Sequence, residues 1–492
     1  MKRKQWLAIF VSVTLVFAAG CSKQADDTIT DDEVQSTEQT EVQDTEQVEE
    51  DTSQLDEQAP EVEQAPVEDV GEQATTDETV ATLAVGEGEI ITVPNVTNES
   101  IETTGIKYLS VDVGEIESSR NFVWYSQSAN DGMVLMQEES SVEVNTFYTS
   151  NSTSAKTKES KTEDGYYVNK ATVSDLKANT TYKYVVGNAD GWSPIYTYTT
   201  SGFDTSFSFV AIGDPEMGIG TDDEGFDQVG VFEKTIANIS GQIPSVAFLL
   251  STGDQVGIND SNDDYASLLN HVGLYSLAFA PTIGNHDVGG SYFKEHFNSP
   301  NMNAIKPDAD VTNDDYYFSY NGVLFLMINA NNGADFDDYH KKFIEEATAQ
   351  YPDATWRVAV FHFPPFSSVE KNQADATAVQ EMIPFLEDAG VDVVFNGHDQ
   401  LYVRSQVMSG TSISQTVSGD SVTNPEGIVY FTLGSSSGNL FHEPIDNPNA
   451  VISGADGHPQ ASRVDVTPTS FKVTTYDSDT WEVYDKFEII KR

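Results

Sequence analysis

Phe207-Ser-Phe-Val-Ala-Ile212 is an apolar, β-rich run that ends in Gly213-Asp214-Pro215-Glu216. The same arrangement returns along the chain, where apolar runs of strand length end in side chains that can bind a metal ion. The later cases are Val246–Leu250 before Gly253-Asp254, Phe279–Ile283 before Gly284-Asn285-His286-Asp287, Val358–Phe361 before His362, and Val391–Phe395 before Gly397-His398-Asp399-Gln400. Helical stretches alternate with these strands, which predicts an α/β layered domain.

The ends of these five strands are predicted to meet. Strand carboxyl ends in an open α/β sheet line one crevice, and glycine lets the backbone turn sharply there. Any one motif is explained as a turn or as a structural histidine, but five in order, all after strands, are poorly explained that way. The sequence therefore predicts one metal-binding rim built from all five motifs.

Charge limits the classes of partner. The 492 residues include 79 acids and 25 Lys and Arg, which gives a formal net charge of −54. Such a chain repels nucleic acid and anionic membranes, so bulk charge predicts neither as a partner. It also repels phosphate groups at long range, so a phosphate site needs local positive charge, which metal ions supply.

Residues 1–21 are typical of a bacterial lipoprotein signal. A basic start, Lys2-Arg3-Lys4, precedes an apolar run too short to span a membrane, and small residues lead to Cys21, the chain's one cysteine. We expect export and a membrane anchor through lipidated Cys21; the alternative is an ordinary secretory signal with a coincidental cysteine. Residues 22–88 lack aromatic residues and periodicity, which predicts an acidic disordered linker.

Residues 89–202 are predicted to form an all-β sandwich. Short alternating strands fill this segment, and one of them, Asn121–Gln127, carries Trp124. The spacing from Leu176 to Tyr182 matches the tyrosine corner of fibronectin type III-like sandwiches. We expect Trp124 and Tyr182 to lie in the core of the sandwich rather than to contact a ligand.

The order of the five motifs, behind a β-sandwich, resembles calcineurin-like metallophosphoesterases and most of all bacterial relatives of purple acid phosphatases. The resemblance covers roughly residue 90 to the C-terminus. It implies a four-layer α/β metallophosphoesterase domain over residues 203–492 with two metal ions, drawn from Mn, Fe, Zn or Ca. It also implies a phosphoric ester hydrolase that uses a metal-bridging hydroxide.

The resemblance implies a set of metal ligands. Asp214 is similar to a ligand of the first metal, and Asp254 to the carboxylate that bridges both metals. Asn285, His362 and His398 are similar to ligands of the second metal. Two cations a few ångströms apart need an anionic bridge, and Asp254 has the chemistry for that position.

Substrate roles are also implied by the resemblance. His286 would face the substrate phosphoryl group and assist its leaving oxygen, with Asn285 beside it, and Asp287 would orient His286. Arg404, shortly after the last motif, is a weaker candidate for a substrate contact.

The first-metal half departs from the family pattern. Glu216 stands where many relatives have His or Gln, Gln400 where the last motif has a second His, and Gly257 where purple acid phosphatases have Tyr. In one interpretation Glu216 and Gln400 bind metal and the first site is all oxygen, which suits Mn²⁺, Mg²⁺ or Ca²⁺. In the other the first site is weak, and the protein is a poor enzyme or a binding descendant.

The remaining histidines give weaker signals. We expect His271 to pack in a helix, His296 to be structural or to approach the site, His340 to be solvated, and His442 to be a candidate for the rim.

Two functions follow from the sequence. The first is an exported, metal-dependent hydrolase of small phosphorylated substrates. The second is a catalytically weak or inactive metallophosphoesterase-fold lipoprotein that acts as a surface binding protein, with Glu216 and Gln400 as its best evidence.

Overall fold

The computed structural model describes residues 89–93, 104–139, 145–219, 225–302, 314–331 and 339–492. The predicted signal peptide, Cys21 and the whole acidic linker lie outside these residues, and so those assignments stay predictions. Within the described ranges, every helix is too short or too polar to cross a bilayer.

The N-terminal part of the described chain is all β. Its strands are β1 (Ile90–Thr92), β2 (Ile106–Val113), β3 (Arg120–Ser126), β4 (Met133–Glu138), β5 (Thr146–Tyr148), β6 (Ser152–Ser154), β7 (Lys156–Glu159), β8 (Tyr167–Val173), β9 (Thr181–Asn188), β10 (Gly191–Trp192) and β11 (Tyr196–Thr199). One layer has the order β2-β3-β8-β7, and the facing layer has the order β10-β9-β4-β6, with β11 also paired to β9. This is the predicted sandwich.

Aromatic residues fill the space between the two layers. Trp124, Phe122 and Tyr184 are fully buried there, and the rings of Phe122 and Tyr184 meet edge to face at 5.3 Å. The hydroxyl of Tyr182 accepts a hydrogen bond from the backbone N–H of Lys177 at 2.8 Å. This bond confirms the tyrosine corner and the core position of Tyr182.

The C-terminal part alternates strands and helices before it ends in strands. Its strands are β12 (Phe207–Ile212), β13 (Val246–Ser251), β14 (Phe279–Pro281), β15 (Tyr316–Tyr320), β16 (Val323–Ile328), β17 (Trp356–Phe361), β18 (Val393–Asn396), β19 (Tyr402–Ser409), β20 (Ser412–Gln415), β21 (Ser421–Thr423), β22 (Ile428–Thr432), β23 (Ala450–Gly454), β24 (Gln460–Thr467), β25 (Ser470–Asp477) and β26 (Val483–Ile490). Its helices are α1 (Gln228–Gln242), α2 (Asn262–Leu269), α3 (Tyr292–His296), α4 (Lys341–Gln350), α5 (Gln373–Val379) and α6 (Ile383–Asp388).

These elements form four layers, as the family resemblance implied. One sheet contains β21-β26-β25-β24-β12-β13-β14, and the other has the order β15-β16-β17-β18-β22-β19-β20. Phenylalanines interlock between the sheets: Phe209 and Phe248 of the first meet Phe325 of the second edge to face, at 5.4 and 5.3 Å. Helices α1 and α2 pack on the outer face of the first sheet, and α4 to α6 on that of the second.

The first sheet does not stop at the boundary between the two parts. Strand β14 pairs in parallel with β2 at Phe279 and Asp112, and the sheet continues through β3, β8 and β7 to eleven strands. The sequence pattern gave no sign of this continuity, because a single pair of residues joins the two halves. It places one layer of the sandwich in line with the strands that lead to the site.

Two stretches that the sequence predicts to be helical, Asp263–Tyr275 and Thr377–Ala389, form shorter helices. The stretch Asp263–Tyr275 forms only α2, because the helix ends at Asn270 and a short 3-10 turn follows. The stretch Thr377–Ala389 is divided between α5 and α6, and Pro384 lies in the first turn of α6. Proline disfavours helical backbone in the preceding residue and lacks an N–H, so it fits at a helix start.

Candidate metal centre

The side chains of the five motifs lie together at the carboxyl ends of β12, β13, β14, β17 and β18. The turns after these strands use left-handed backbone at residues that carry side chains. Asp214, Glu216, Asp254, His398 and Gln400 have φ values of 36°, 41°, 50°, 68° and 50°. Such conformations cost of order 1–3 kcal/mol each and are found mainly where a site requires them.

Glycine permits the close approach of these turns. A Cβ on Gly284 would lie 2.1 Å from Oδ1 of Asp254, and a Cβ on Gly253, whose φ is 114°, would lie 2.6 Å from Nδ1 of His362. Both distances are far below van der Waals contact. A larger residue at Gly284 would therefore displace the carboxylate of Asp254, and one at Gly253 would displace the imidazole of His362.

One group of side chains has the composition of the predicted second metal site. Nε2 of His362 lies 2.9 Å from Oδ2 of Asp254 and 3.1 Å from Oδ1 of Asn285. The ligand atoms of Asp254, His362 and His398 all lie within 4.8 Å of one another. Nδ1 of His362 contacts the carbonyl of Thr252 at 3.1 Å, which directs Nε2 into the centre.

The second group contains the residues that depart from the family pattern. Nε2 of Gln400 donates to Oε2 of Glu216 at 2.6 Å, and Oδ1 of Asp214 accepts the N–H of His398 at 2.9 Å. Oδ2 of Asp214 and Oε1 of Gln400 are buried without a hydrogen-bond partner. The ligand atoms of Glu216, Asp254 and His286 lie within 4.8 Å of one another.

Burial and close contact shift the pKa values of the acidic and imidazole groups in this centre. Burial raises the pKa of Asp214 well above its usual range, and the nearby carboxylates of Asp254 and Glu216 raise it further. Burial alone would lower the pKa of His362, but the Asp254 carboxylate outweighs burial and raises it to about 10. The same pair holds the pKa of Asp254 below its usual value, despite burial.

The donor set fits two cations. Three carboxylates, two amide oxygens and two imidazoles converge, and three buried acceptors in the set, on Asp214, Gln400 and His398, make no hydrogen bond. Buried acceptors are nearly always satisfied, so several unpaired ones within one donor set point to a positive partner. Oxygen ligands dominate one half and nitrogen ligands the other, which suits a hard ion beside a borderline one.

Asp287 was predicted to orient His286, but its carboxylate contacts backbone N–H groups instead. Its Oδ1 accepts the N–H of Gln255 at 2.9 Å and its Oδ2 accepts that of Gly284 at 2.8 Å, so it ties two metal-binding turns together. His286 is oriented instead by the carbonyl of Gly257, 2.9 Å from its Nδ1, and by Oε1 of Glu216, 3.4 Å from its Nε2.

The position where purple acid phosphatases have tyrosine is too crowded here for any side chain, and Gly257 occupies it. A Cβ there would lie 2.2 Å from Cγ1 and 2.9 Å from the backbone nitrogen of Ile219. The backbone atom cannot move aside as a side chain can, so this turn has no room for tyrosine.

Arg404 is not at the site, and its predicted substrate contact is corrected. The side chain is buried, and its Nε and Nη2 donate to the carboxylate of Asp485 at 2.7 and 3.1 Å. The guanidinium also lies 4.4 Å from the ring centre of Phe487. This enclosed ion pair holds β19 against β26.

The sequence reasoning missed the loop that follows β22. Nδ2 of Asn439 donates to Oε2 of Glu216 at 2.7 Å, and the hydroxyl of Ser435 donates to the backbone carbonyl of Asp214 at 3.2 Å. The signal was present: Gly434-Ser-Ser-Ser-Gly438-Asn439 follows a buried strand, as the other motifs do. It was overlooked because serine and asparagine are common in loops.

The other histidines are placed by the structure. His296 is fully buried and stacks on Tyr265 at 3.9 Å, so it is structural. The expectation for His340 was wrong: it is fully buried, with Nδ1 2.6 Å from Oδ2 of Asp315. His442 contacts the backbone carbonyl of Asp399, between two site residues, at 3.1 Å, which leaves it a candidate for the rim.

Comparison with known proteins identifies both parts. Residues 207–402 match the family model described as calcineurin-like phosphoesterase, and residues 108–200 match that of the purple acid phosphatase N-terminal domain. The chain therefore carries a calcineurin-like phosphoesterase domain behind a purple acid phosphatase N-terminal domain. The matched ranges include Asp214, Asp254, Asn285, His362 and His398.

Individual relatives agree with this assignment. Purple acid phosphatase 22 of Arabidopsis thaliana is 26% identical over 47% of this chain and 52% of its own length. Purple acid phosphatase 1 of Ipomoea batatas is 24% identical over 54% of this chain and 58% of its own. The chain thus spans about half the length of the curated relatives it matches.

A solved structure shares the fold. The yellow lupin (Lupinus luteus) purple acid phosphatase PPD1 superposes with a TM-score of 0.61 over 79% of this chain and 75% of its own, at 16% identity. At this identity the likeness concerns the fold. It agrees with a β-sandwich followed by an α/β metallophosphoesterase domain.

Proposed function

We propose that this phosphoesterase-domain protein hydrolyses esters of small phosphorylated substrates with two bound metal ions. The observation that carries the proposal is the convergence of Asp254, Asn285, His362 and His398 on one point, beside Asp214 with its unpaired buried oxygen. Bound metal ions in such a centre supply Lewis acidity and a nucleophile at neutral pH. The side chains supply position, charge and proton contacts.

Each residue has a distinct task in this proposal. Asp254 has one carboxylate oxygen toward His362 and accepts the N–H of His286 on the other, at 2.8 Å, so its position is fixed from both sides. It is the group best placed to be shared between two cations. Asn285 and His362 would hold the second cation, and Asp214 with Gln400 would hold the first.

His286 is the side chain proposed to meet the leaving group. About a third of it is exposed, whereas Glu216 beside it is almost fully enclosed. Because Nδ1 is held by the carbonyl of Gly257, Nε2 is the nitrogen directed toward the centre. Since Nδ1 donates to that carbonyl, Nε2 carries a proton only in the cationic form of the imidazole, and in that form it can donate a hydrogen bond or a proton to the oxygen that leaves phosphorus.

The proposal also includes export of the protein and lipidation at Cys21. They rest on Lys2-Arg3-Lys4, the apolar run after it and Cys21. Metabolic labelling with a radioactive fatty acid tests them: we expect the wild type to carry label in the membrane fraction and Cys21→Ser to carry none. Label on both proteins, or on neither, would overturn the anchor.

Hydrolysis is tested with chromogenic phosphate monoesters and diesters, each assayed with Mn²⁺, Zn²⁺, Mg²⁺ and Ca²⁺. Asp254→Asn should lose turnover, whereas Asp175→Asn should keep it. Asp175 is a matched control because it is exposed and has a similar left-handed backbone, with φ of 60° against 50°. If the wild type shows no turnover with any metal, the surface-binding alternative replaces this proposal.

A further inference from the structure

A basic cleft lies away from the metal centre, between strand β7 and helix α3. It encloses about 710 Å³ and is lined by five lysines: Lys156, Lys158, Lys161, Lys170 and Lys294. Two glutamates also line it, so the lining residues carry a formal charge of +3, or +2 when Asp314, the partner of Lys294, is included. This is one fifth of the 25 Lys and Arg of a chain whose net charge is −54, so the concentration calls for an explanation.

Most of these lysines have no carboxylate partner. Among the described residues, only Lys294 of the five makes an ion pair, with Asp314 at 2.7 Å. Lys170 donates to the backbone carbonyls of Lys294 and Phe297. In a chain with three acids for every base, Lys156, Lys158 and Lys161, which are exposed and have no ion pair among the described residues, leave positive charge free for a ligand.

One glutamate of the cleft, Glu295, accepts hydrogen bonds from a neighbouring loop. Oε2 of Glu295 accepts hydrogen bonds from the hydroxyls of Ser160 and Thr162 at 2.9 and 3.0 Å. Both of its carboxylate oxygens also contact the N–H of Lys161, at 3.0 and 3.1 Å. Its charge therefore orders the loop 160–162 and does not pair with a lysine ammonium group.

Protection of a sheet edge explains only part of the cluster. Strand β7 is the last strand of its sheet, and lysines on edge strands deter pairing with other chains. That accounts for Lys156 and Lys158. Lys161, Lys170 and Lys294 come from a loop, an inner strand and a helix, where edge protection gives no reason for them.

We propose that this cleft binds an extended anion made of several phosphate groups. A single phosphate is much smaller than the cleft, and hydroxyls of Ser154, Thr172 and Ser291 line it beside the lysines. All five cations are lysines, which act as point charges on phosphate oxygens rather than as planar forks for carboxylates. The choice of phosphate rests on the proposed function, whereas anion binding does not.

Calorimetric titration of the full chain with inorganic tripolyphosphate, in the presence of a metal chelator, tests the proposal. We expect the Lys156→Gln/Lys158→Gln variant to bind at least tenfold more weakly than the wild type. The control Lys342→Gln/Lys486→Gln removes the same charge from exposed lysines elsewhere and should bind like the wild type. Equal affinity of the cleft variant and the wild type, or no binding by the wild type, would overturn the proposal.

Two further arms locate and define the ligand. In lysine acetylation footprinting of the wild type, tripolyphosphate should protect Lys156, Lys158 and Lys161 but not Lys342; equal protection of all four contradicts the site. Orthophosphate and citrate should bind at least tenfold more weakly, and equal binding by either would overturn an extended phosphate ligand. Asp254→Asn should retain tripolyphosphate binding, so loss of hydrolysis and loss of this site are separate outcomes.

Discussion

Gln400 donates a hydrogen bond through Nε2 to Oε2 of Glu216 at 2.6 Å, and this contact joins the two positions that depart most from the family pattern. The bond fixes the amide so that Oε1 of Gln400 is the atom left buried and unpaired. Asn439 donates to the same carboxylate oxygen, which leaves Oε1 of Glu216 to face the centre, 3.4 Å from Nε2 of His286. The two substitutions therefore form one oxygen-rich unit.

The first prediction concerns metal content. Gln400→Leu removes one oxygen ligand and one donor to Glu216, so we expect metal affinity at the first site to fall by about 10- to 100-fold. Elemental analysis after equilibration with Mn²⁺ should give about two ions per wild-type chain and about one per variant chain. The exposed Gln415→Leu serves as the control. Unchanged stoichiometry in Gln400→Leu would remove Gln400 from the centre.

Asp287→Asn should act on stability as well as on turnover. Its carboxylate accepts N–H groups from Gly284 and Gln255, and an amide presents one oxygen and one donor instead. A buried N–H that loses its acceptor costs about 1–3 kcal/mol. Denaturant unfolding with a chelator present should show this loss, against no change in Asp175→Asn. A variant of wild-type stability that has lost only kcat would restore the earlier assignment, in which Asp287 serves His286.

The pair of Arg404 and Asp485 gives a prediction that separates structure from catalysis. Arg404→Met removes the cation that pairs with the largely buried carboxylate of Asp485 and leaves it only the hydroxyl of Tyr402 as a donor, which costs about 3–5 kcal/mol. The same change in Arg463, whose pair with Asp465 is about a third exposed, should cost less than about 1 kcal/mol. KM for phosphate esters should stay unchanged in both. A KM rise in Arg404→Met that outstrips the loss of folded protein would place Arg404 back at the substrate.

Acid stability should depend on His296. Burial lowers the pKa of this imidazole from 6.5 to about 3. Between these values the unfolded chain binds more protons than the folded one, so stability is full above pH 6.5 and falls as the pH is lowered toward 3. At pH 5 the loss from this group is about 2 kcal/mol.

The measurement is urea unfolding at pH 7.5 and pH 5. His296→Phe keeps an aromatic ring against Tyr265 but does not titrate, so it should lose about 2 kcal/mol less than the wild type on acidification. His458→Phe, at a half-exposed histidine, should follow the wild type. Parallel losses in the wild type and His296→Phe would show that His296 does not drive acid unfolding.

The layered fold and the convergence of the strand ends could be predicted from the sequence, because both follow from local patterns. An apolar strand that ends in Gly-Asp is visible in a dozen residues, and the tyrosine corner at Tyr182 is visible in seven. Contacts between distant segments have no such local sign. Asp287 serving backbone amides and Arg404 paired with Asp485 depend on residues far away in the chain. Asn439 could have been predicted from the same pattern as the other motifs, because it follows the buried strand β22.

Anomalous scattering from crystals equilibrated with Mn²⁺ would show whether these side chains bind two metal ions. We expect two peaks that share Asp254: one bounded by Asn285, His362 and His398, and one by Asp214, Glu216 and Gln400. Well-ordered crystals with no anomalous peak among these side chains would contradict this expectation.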